Sequence, residues 1–177
     1  ASQTSVEAAL TSLRAKLPKA GTLISDPTRL AFSFGPDQTN QSIAAPEVPG
    51  GAALRTILSK AGTNPWDDGI SQALNGAVKQ GDTIVMAAYL RSNGGPGSIA
   101  MMGVALNHAP WSQIIAKPVT VPAAGWHLIT VSGTATTNAG ATEMMAMMQT
   151  GAAKQSLDIG PIFVLNLGAG VTPPQLP

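Results

Sequence analysis

Alternation of apolar and polar side chains runs through most of the chain, and its clearest stretch is Ala77 to Leu90, AVKQGDTIVMAAYL. After a Gly-Asp turn, Ile84, Met86, Ala88 and Leu90 fall on one side, and Thr83, Val85, Ala87, Tyr89 and Arg91 on the other. A period of two over this length predicts a central strand with one face for a core and one that turns polar and aromatic at its far end. Further strands are expected at Ile99 to Leu106, apolar on both faces, and at Trp126 to Val131, where Trp126, Leu128 and Thr130 alternate against His127, Ile129 and Val131. A last one, Ser156 to Leu167, is kinked at Gly160-Pro161. Shorter strands are expected at Thr22 to Ile24, Leu30 to Phe34, Ala53 to Leu58 and around Ile114-Ile115 and Val119 to Val121, while Ile70 to Leu74 leads out of the Trp66 loop toward an Asn75-Gly76 turn. Ile43 to Pro49 carries two prolines, which confines it to an edge strand or a loop.

Besides Ala53 to Leu58, whose helical composition is outweighed by its short span between Gly50-Gly51 and Gly62, two segments have helical composition. Thr4-Ser-Val-Glu7 fits a capping box, and Val6, Ala9, Leu10, Leu13 and Leu17 then share one face before Pro18, so a helix is expected to pack across the end of a sheet. Thr142 to Gln149 holds Met144, Met145, Met147 and Met148, but Gly140 and Gly151 bound it too closely for a typical helix, and a strand is expected. Thioethers are soft ligands suited to Cu(I), yet no His lies in the segment, and core filling is the expected role of these methionines.

Composition narrows the function classes. The chain has 177 residues and suits one core, its charged fraction is only 11% and its formal net charge is +1. A grip on nucleic acid needs a basic patch, and none is visible; no apolar run reaches the roughly 20 residues of a membrane helix, so neither nucleic acid nor membrane insertion is expected. Absence of Cys excludes disulfides, thiol nucleophiles and Cys-ligated zinc. The 19 Gly and 14 Pro suit many short strands and tight turns. A chain beginning at Ala1 fits a processed exported protein or a trimmed one, and a secreted or periplasmic location is expected.

The motifs follow one another in a definite order along the sequence. A Trp-Asp loop (Asn64-Pro-Trp-Asp-Asp-Gly69) precedes the Gly-Asp-led strand ending in Tyr89-Leu-Arg91. A glycine-rich loop (Gly94-Gly-Pro-Gly97), a Pro110-Trp111 loop, the Gly125-Trp126-led strand and a closing strand Gln155-Ser-Leu-Asp-Ile-Gly160 follow. That order resembles the jelly-roll carbohydrate-binding modules of the galactose-binding-like superfamily, found beside bacterial xylanases and related glycan-active enzymes, over roughly Thr22 to Gly168. The resemblance implies an all-β fold: a two-sheet antiparallel β-sandwich over residues 21–168, with the helix in residues 1–20 packed on it and a C-terminal tail at 169–177. It further implies a poly- or oligosaccharide bound on one concave sheet face, and in some members a structural calcium ion. Trp126 looks like the core Trp of such modules, and Asp158 matches an acidic position that can ligate calcium, although Ile159-Gly160 stands where a second acid often occurs.

The candidate binding residues are Trp66, Asp67, Asp68, Tyr89, Arg91, His108 and Trp111. An indole covers the C–H face of a sugar ring while carboxylates accept from its hydroxyls, which makes Trp66 with Asp67 and Asp68 chemically apt. The same residues also fit a Trp that plugs the sandwich end beside an Asp68-Gly69 turn. Tyr89 and Arg91, two apart on a strand, project from one face. With His108 they match what a polysaccharide lyase would use, a cation for a uronate and a group to move protons. Glycoside hydrolysis needs carboxylates roughly 5 to 9 Å apart across a cleft, which adjacent acids seldom reach. Three readings therefore stand: a non-catalytic glycan-binding module, a small lyase-like enzyme, and a structural or adhesion sandwich without sugar binding.

Overall fold

The computed structural model describes residues 21–172, so the helix expected at Thr4 to Leu17 lies outside the described residues. Eleven strands follow one another: β1 (Gly21–Thr22), β2 (Phe32–Phe34), β3 (Gln38–Ala44), β4 (Ala52–Leu58), β5 (Gly69–Ala73), β6 (Asp82–Ser92), β7 (Gly97–Leu106), β8 (Gln113–Val121), β9 (His127–Thr134), β10 (Met144–Gln149) and β11 (Gln155–Ala169). They form two antiparallel sheets. One has the order β3-β4-β11-β6-β9, with β1 paired to β11; the other has the order β2-β5-β10-β7-β8. The expected two-sheet β-sandwich is the fold.

The core lies between the sheets and follows the pleat. From β6 it takes Ile84, Met86, Ala88 and Leu90, the set that the alternation put on one face; β4 adds Leu54, β7 adds Met102 and Val104, and β10 adds Met144, Ala146 and Met148. Pro161 sits inside the central strand β11, where the register with β6 shifts between Ile159 and Ile162. The bulge accommodates a residue with no N–H to give. Pro118 lies in β8, the edge strand of its sheet, and so the apparent pair of strands around it is one strand.

Two expectations change. The segment Ile43 to Pro49 is neither wholly strand nor wholly loop: the edge strand β3 starts earlier, at Gln38, and ends at Ala44. Its polar sequence QTNQSIA suits a strand with exposed residues along most of its length. The second change concerns the outer face of β6, which is covered. Tyr89 packs with Ala45, Val48 and Ala53, and with the partly buried Ile43, Trp126, Leu128 and Phe163. Trp126 therefore belongs to a small cluster on the outside of the first sheet, not to the core between the sheets.

Candidate functional site

The outer face of the second sheet carries a groove of about 520 Å³ lined by Phe34, Trp66, Trp111, Gln113, Met145, Met147 and Gln149. The pleat explains how methionines reach both sides of one strand: Met144 and Met148 enter the core, while Met145 and Met147 face the groove. Packing accounts for three of the four methionines: Met144 and Met148 fill the core between the sheets, Met147 is buried with Met101 and Ala105 on the groove side, and Met145 is partly buried there. Register places the groove residues in cross-strand rows. At one end Gln113, Ala105, Met145 and Ala73 stand side by side; at the other are Met101, Gln149, Gly69 and Phe34. From Met145 to Gln149 the strand advances about 14 Å at about 3.4 Å per residue.

Trp66 precedes β5 and so stands near the Gln149 end, whereas Trp111, in the β7–β8 connection, stands near the Met145 end. Both rings are open to solvent, at 59% and 58% exposure. Their loops are pinned. Asp67 Oδ2 accepts from Asn64 N at 2.8 Å, Gly62 N donates to Gly151 O at 2.9 Å, and Gly151 N donates to Pro65 O at 3.0 Å. Around Trp111, its own N donates to His108 O at 2.7 Å, Leu106 N to Ser112 O at 2.9 Å, and Asn107 N to Glu143 O at 2.9 Å. Trp111 has φ of 59°, a left-handed conformation that costs a side-chain-bearing residue about 1–3 kcal/mol and tends to occur at functional sites.

Close approach shapes the floor. A Cβ on residue 69 would run into the Phe34 ring and the Met148 carbonyl oxygen, so only glycine lets Phe34 lie down over β5. The two amides of the groove are free: among the described residues, neither the Gln113 nor the Gln149 side chain has a hydrogen-bond partner. Among the described residues no charged side chain lines the groove. An array of two indoles, a phenyl ring, two thioethers and two amides can cover C–H faces and exchange a few hydrogen bonds, but it offers no acid or base for chemistry.

The remaining candidate residues are placed elsewhere or turned away. Asp67 is spent on its own loop, and Asp68 is fully buried, its Oδ1 accepting from Asp37 N at 3.0 Å. His108 shares the Trp111 loop, where its Nδ1 lies 2.8 Å from Ala109 O. Tyr89 and Arg91 are on the other sheet. The lyase trio of Tyr89, Arg91 and His108 is thus not brought together: two members face out from the first sheet and the third lies in a loop of the second.

Asp158, matched in sequence to a calcium ligand, is instead the centre of an ion-pair cluster. Its Oδ1 accepts from Arg55 Nε at 2.7 Å and from Asn93 Nδ2 at 2.9 Å, and its Oδ2 accepts from Arg55 Nη2 at 3.0 Å and Arg91 Nε at 2.8 Å. Burial alone would raise this carboxyl group, but the hydrogen bonds from Arg55, Asn93 and Arg91 outweigh it and hold it below the ordinary carboxylate value. A carboxylate whose oxygens are filled by two guanidiniums does not fit a calcium ion. Among the described residues no three His, Asp or Glu side chains gather where they could hold a metal.

Phe34, Gln113, Gln149 and the two outward methionines were missed by sequence reasoning. Phe34 was legible as one side of a short strand; the amides carry no motif.

No protein-family profile and no curated protein matches the chain by sequence. Solved structures do match. A family 4 carbohydrate-binding module has a TM-score of 0.59 at 16% identity, over 77% of this chain and 94% of that one. The family 22 xylan-binding domain of a Paenibacillus barcinonensis xylanase has a TM-score of 0.54 at 14% identity, over 85% and 94%. The N-terminal cellulose-binding domain of a Cellulomonas fimi β-1,4-glucanase has a TM-score of 0.53 at 17% identity, over 82% and 90%. At such identities the likeness is one of fold: the chain has the sandwich architecture of these carbohydrate-binding modules.

Proposed function

We propose that the chain binds a neutral poly- or oligosaccharide, without cleaving it, in the groove on the outer face of the second sheet. The observation that carries this reading is the pair of exposed, loop-pinned rings of Trp66 and Trp111 at opposite ends of a groove that holds two amides unpartnered among the described residues. Indole faces supply contact area at low entropic cost, and glutamine amides both donate to and accept from hydroxyls. Rigid loops reduce what binding must order. The shared architecture adds support, since one similar domain is described as xylan-binding and another as cellulose-binding. No helix among the described residues is long and apolar enough to cross a membrane. A secreted or periplasmic location belongs with this reading, because polysaccharides of this kind are met outside the cytoplasm.

A glycan array followed by calorimetric titration tests the proposal. Retention of neutral β-linked glycans, with the same material recovered at unchanged length, is the expected result. Shortened or unsaturated products would replace the binding reading by the enzymatic one. Retention of no glycan would leave a structural sandwich.

A further inference from the structure

The groove is short of partners for a bare sugar. Every hydroxyl on a pyranose rim is both donor and acceptor, and one buried against a thioether or a phenyl ring loses water without replacement. Here the floor is Met145, Met147 and Phe34, and among the described residues the only lining amides, Gln113 and Gln149, stand in separate cross-strand rows at the two ends. Between them the outward residues of β5 and β7 are Ser71 and Gly103, which add one small hydroxyl and no side chain. Among the described residues no charged group lines the site, so a uronate or sulfated chain would meet no counter-charge from them.

Acylation changes this balance. An ester in place of a hydroxyl removes the donor that the floor cannot satisfy, keeps a carbonyl acceptor to which a glutamine N–H donates, and adds a methyl group. Sulfur is polarisable and methionine adapts its shape, so the methyl can pack on Met145 and Met147 in a way that water-seeking hydroxyls cannot.

We propose that the ligand of this groove is a neutral glycan carrying O-acyl groups, with acetyl esters seated on the Met145–Met147 floor and the sugar faces on Trp66 and Trp111. This rests on the saccharide-binding reading and specifies which saccharide.

The test compares one set of soluble, acetylated xylo-oligosaccharides of fixed length with the same set after mild alkaline deacetylation, titrated calorimetrically against the whole chain. The acetylated set should bind about tenfold more tightly, the factor that corresponds to about 1.4 kcal/mol. A Met145→Gln/Met147→Gln variant should reverse the preference, and Met145→Leu/Met147→Leu, which keeps the floor apolar, should retain it. The leucine pair keeps the test informative if the glutamine pair does not fold. Equal or tighter binding of the deacetylated set to the natural chain would overturn this inference and leave the binding proposal standing. If neither set nor any neutral glycan on the array is retained, the binding proposal falls and this inference with it.

Discussion

The Arg91 guanidinium carbon lies 4.6 Å from the centre of the Trp126 ring while its Nη2 stands 2.8 Å from Asp158 Oδ2. One cation thus spans an aromatic face and a fully buried carboxylate, and it shares that carboxylate with Arg55, which is 103 positions away from Asp158 in sequence. Removing the anion would leave two guanidiniums facing one another on the first sheet.

Asp158→Asn should therefore cost about 3 kcal/mol of stability, the scale for breaking a buried pair. Glycan binding should be unchanged, since the groove is on the other sheet. The sign of the pH effect follows from the lowered carboxyl. A depressed folded-state value means stability that is complete above the unfolded carboxylate value of about 3.9 and is lost as pH falls below it toward the folded value. Urea melts between pH 2 and pH 7 should show a shallower acid limb in the variant; equal limbs would remove Asp158 from the account.

Trp66→Ala and Trp111→Ala should each weaken glycan binding by about 2 kcal/mol, as loss of a hot-spot aromatic does. Both rings are more than half exposed, so the melting temperature should move little. Thermal melts beside titrations decide the matter, and a melt lowered as far as that of a core truncation would make either ring a plug.

Met148→Ala and Met145→Ala offer a contrast along one strand. The first empties a fully buried site and should cost about 2–5 kcal/mol of stability. The second, on a partly buried groove residue, should cost far less stability and alter binding instead. Chemical denaturation and titration of the two variants check this.

Gly69→Ala should displace the Phe34 ring from the groove wall. Because the new methyl group also meets the Met148 carbonyl oxygen, about 1–3 kcal/mol of stability should be lost together with affinity. Phe34→Ala in the Gly69→Ala background should recover part of the stability but none of the binding.

The sandwich was legible because strands announce themselves by period. The core set Ile84, Met86, Ala88 and Leu90 and the kink at Gly160-Pro161 are local facts of sequence. Trp66 was readable as a loop residue because Asn, Pro, Asp and Gly surround it. What local pattern does not contain is which face another segment will cover. Tyr89 and Arg91 look available on their strand, yet Ala45, Val48 and Trp126 arrive from distant positions to cover that face. The ion pairing of Asp158 depends on Arg55 in the same way. Gln113 and Gln149 were invisible for a different reason: an amide has no signature until register sets it beside an indole.

The pleat of β10 has an evolutionary consequence. Positions 144, 146 and 148 are held by the packed interior between the sheets, while 145 and 149 are only partly buried on the groove side and 147, though buried, packs there against Met101 and Ala105. Selection can therefore act on positions 145 and 149 apart from 144, 146 and 148, and new ligand preferences can be explored by substitutions that leave the contacts between the sheets in place. A lineage of such chains should diversify most at positions 145 and 149, while 144, 146, 147 and 148 drift only among residues of similar volume.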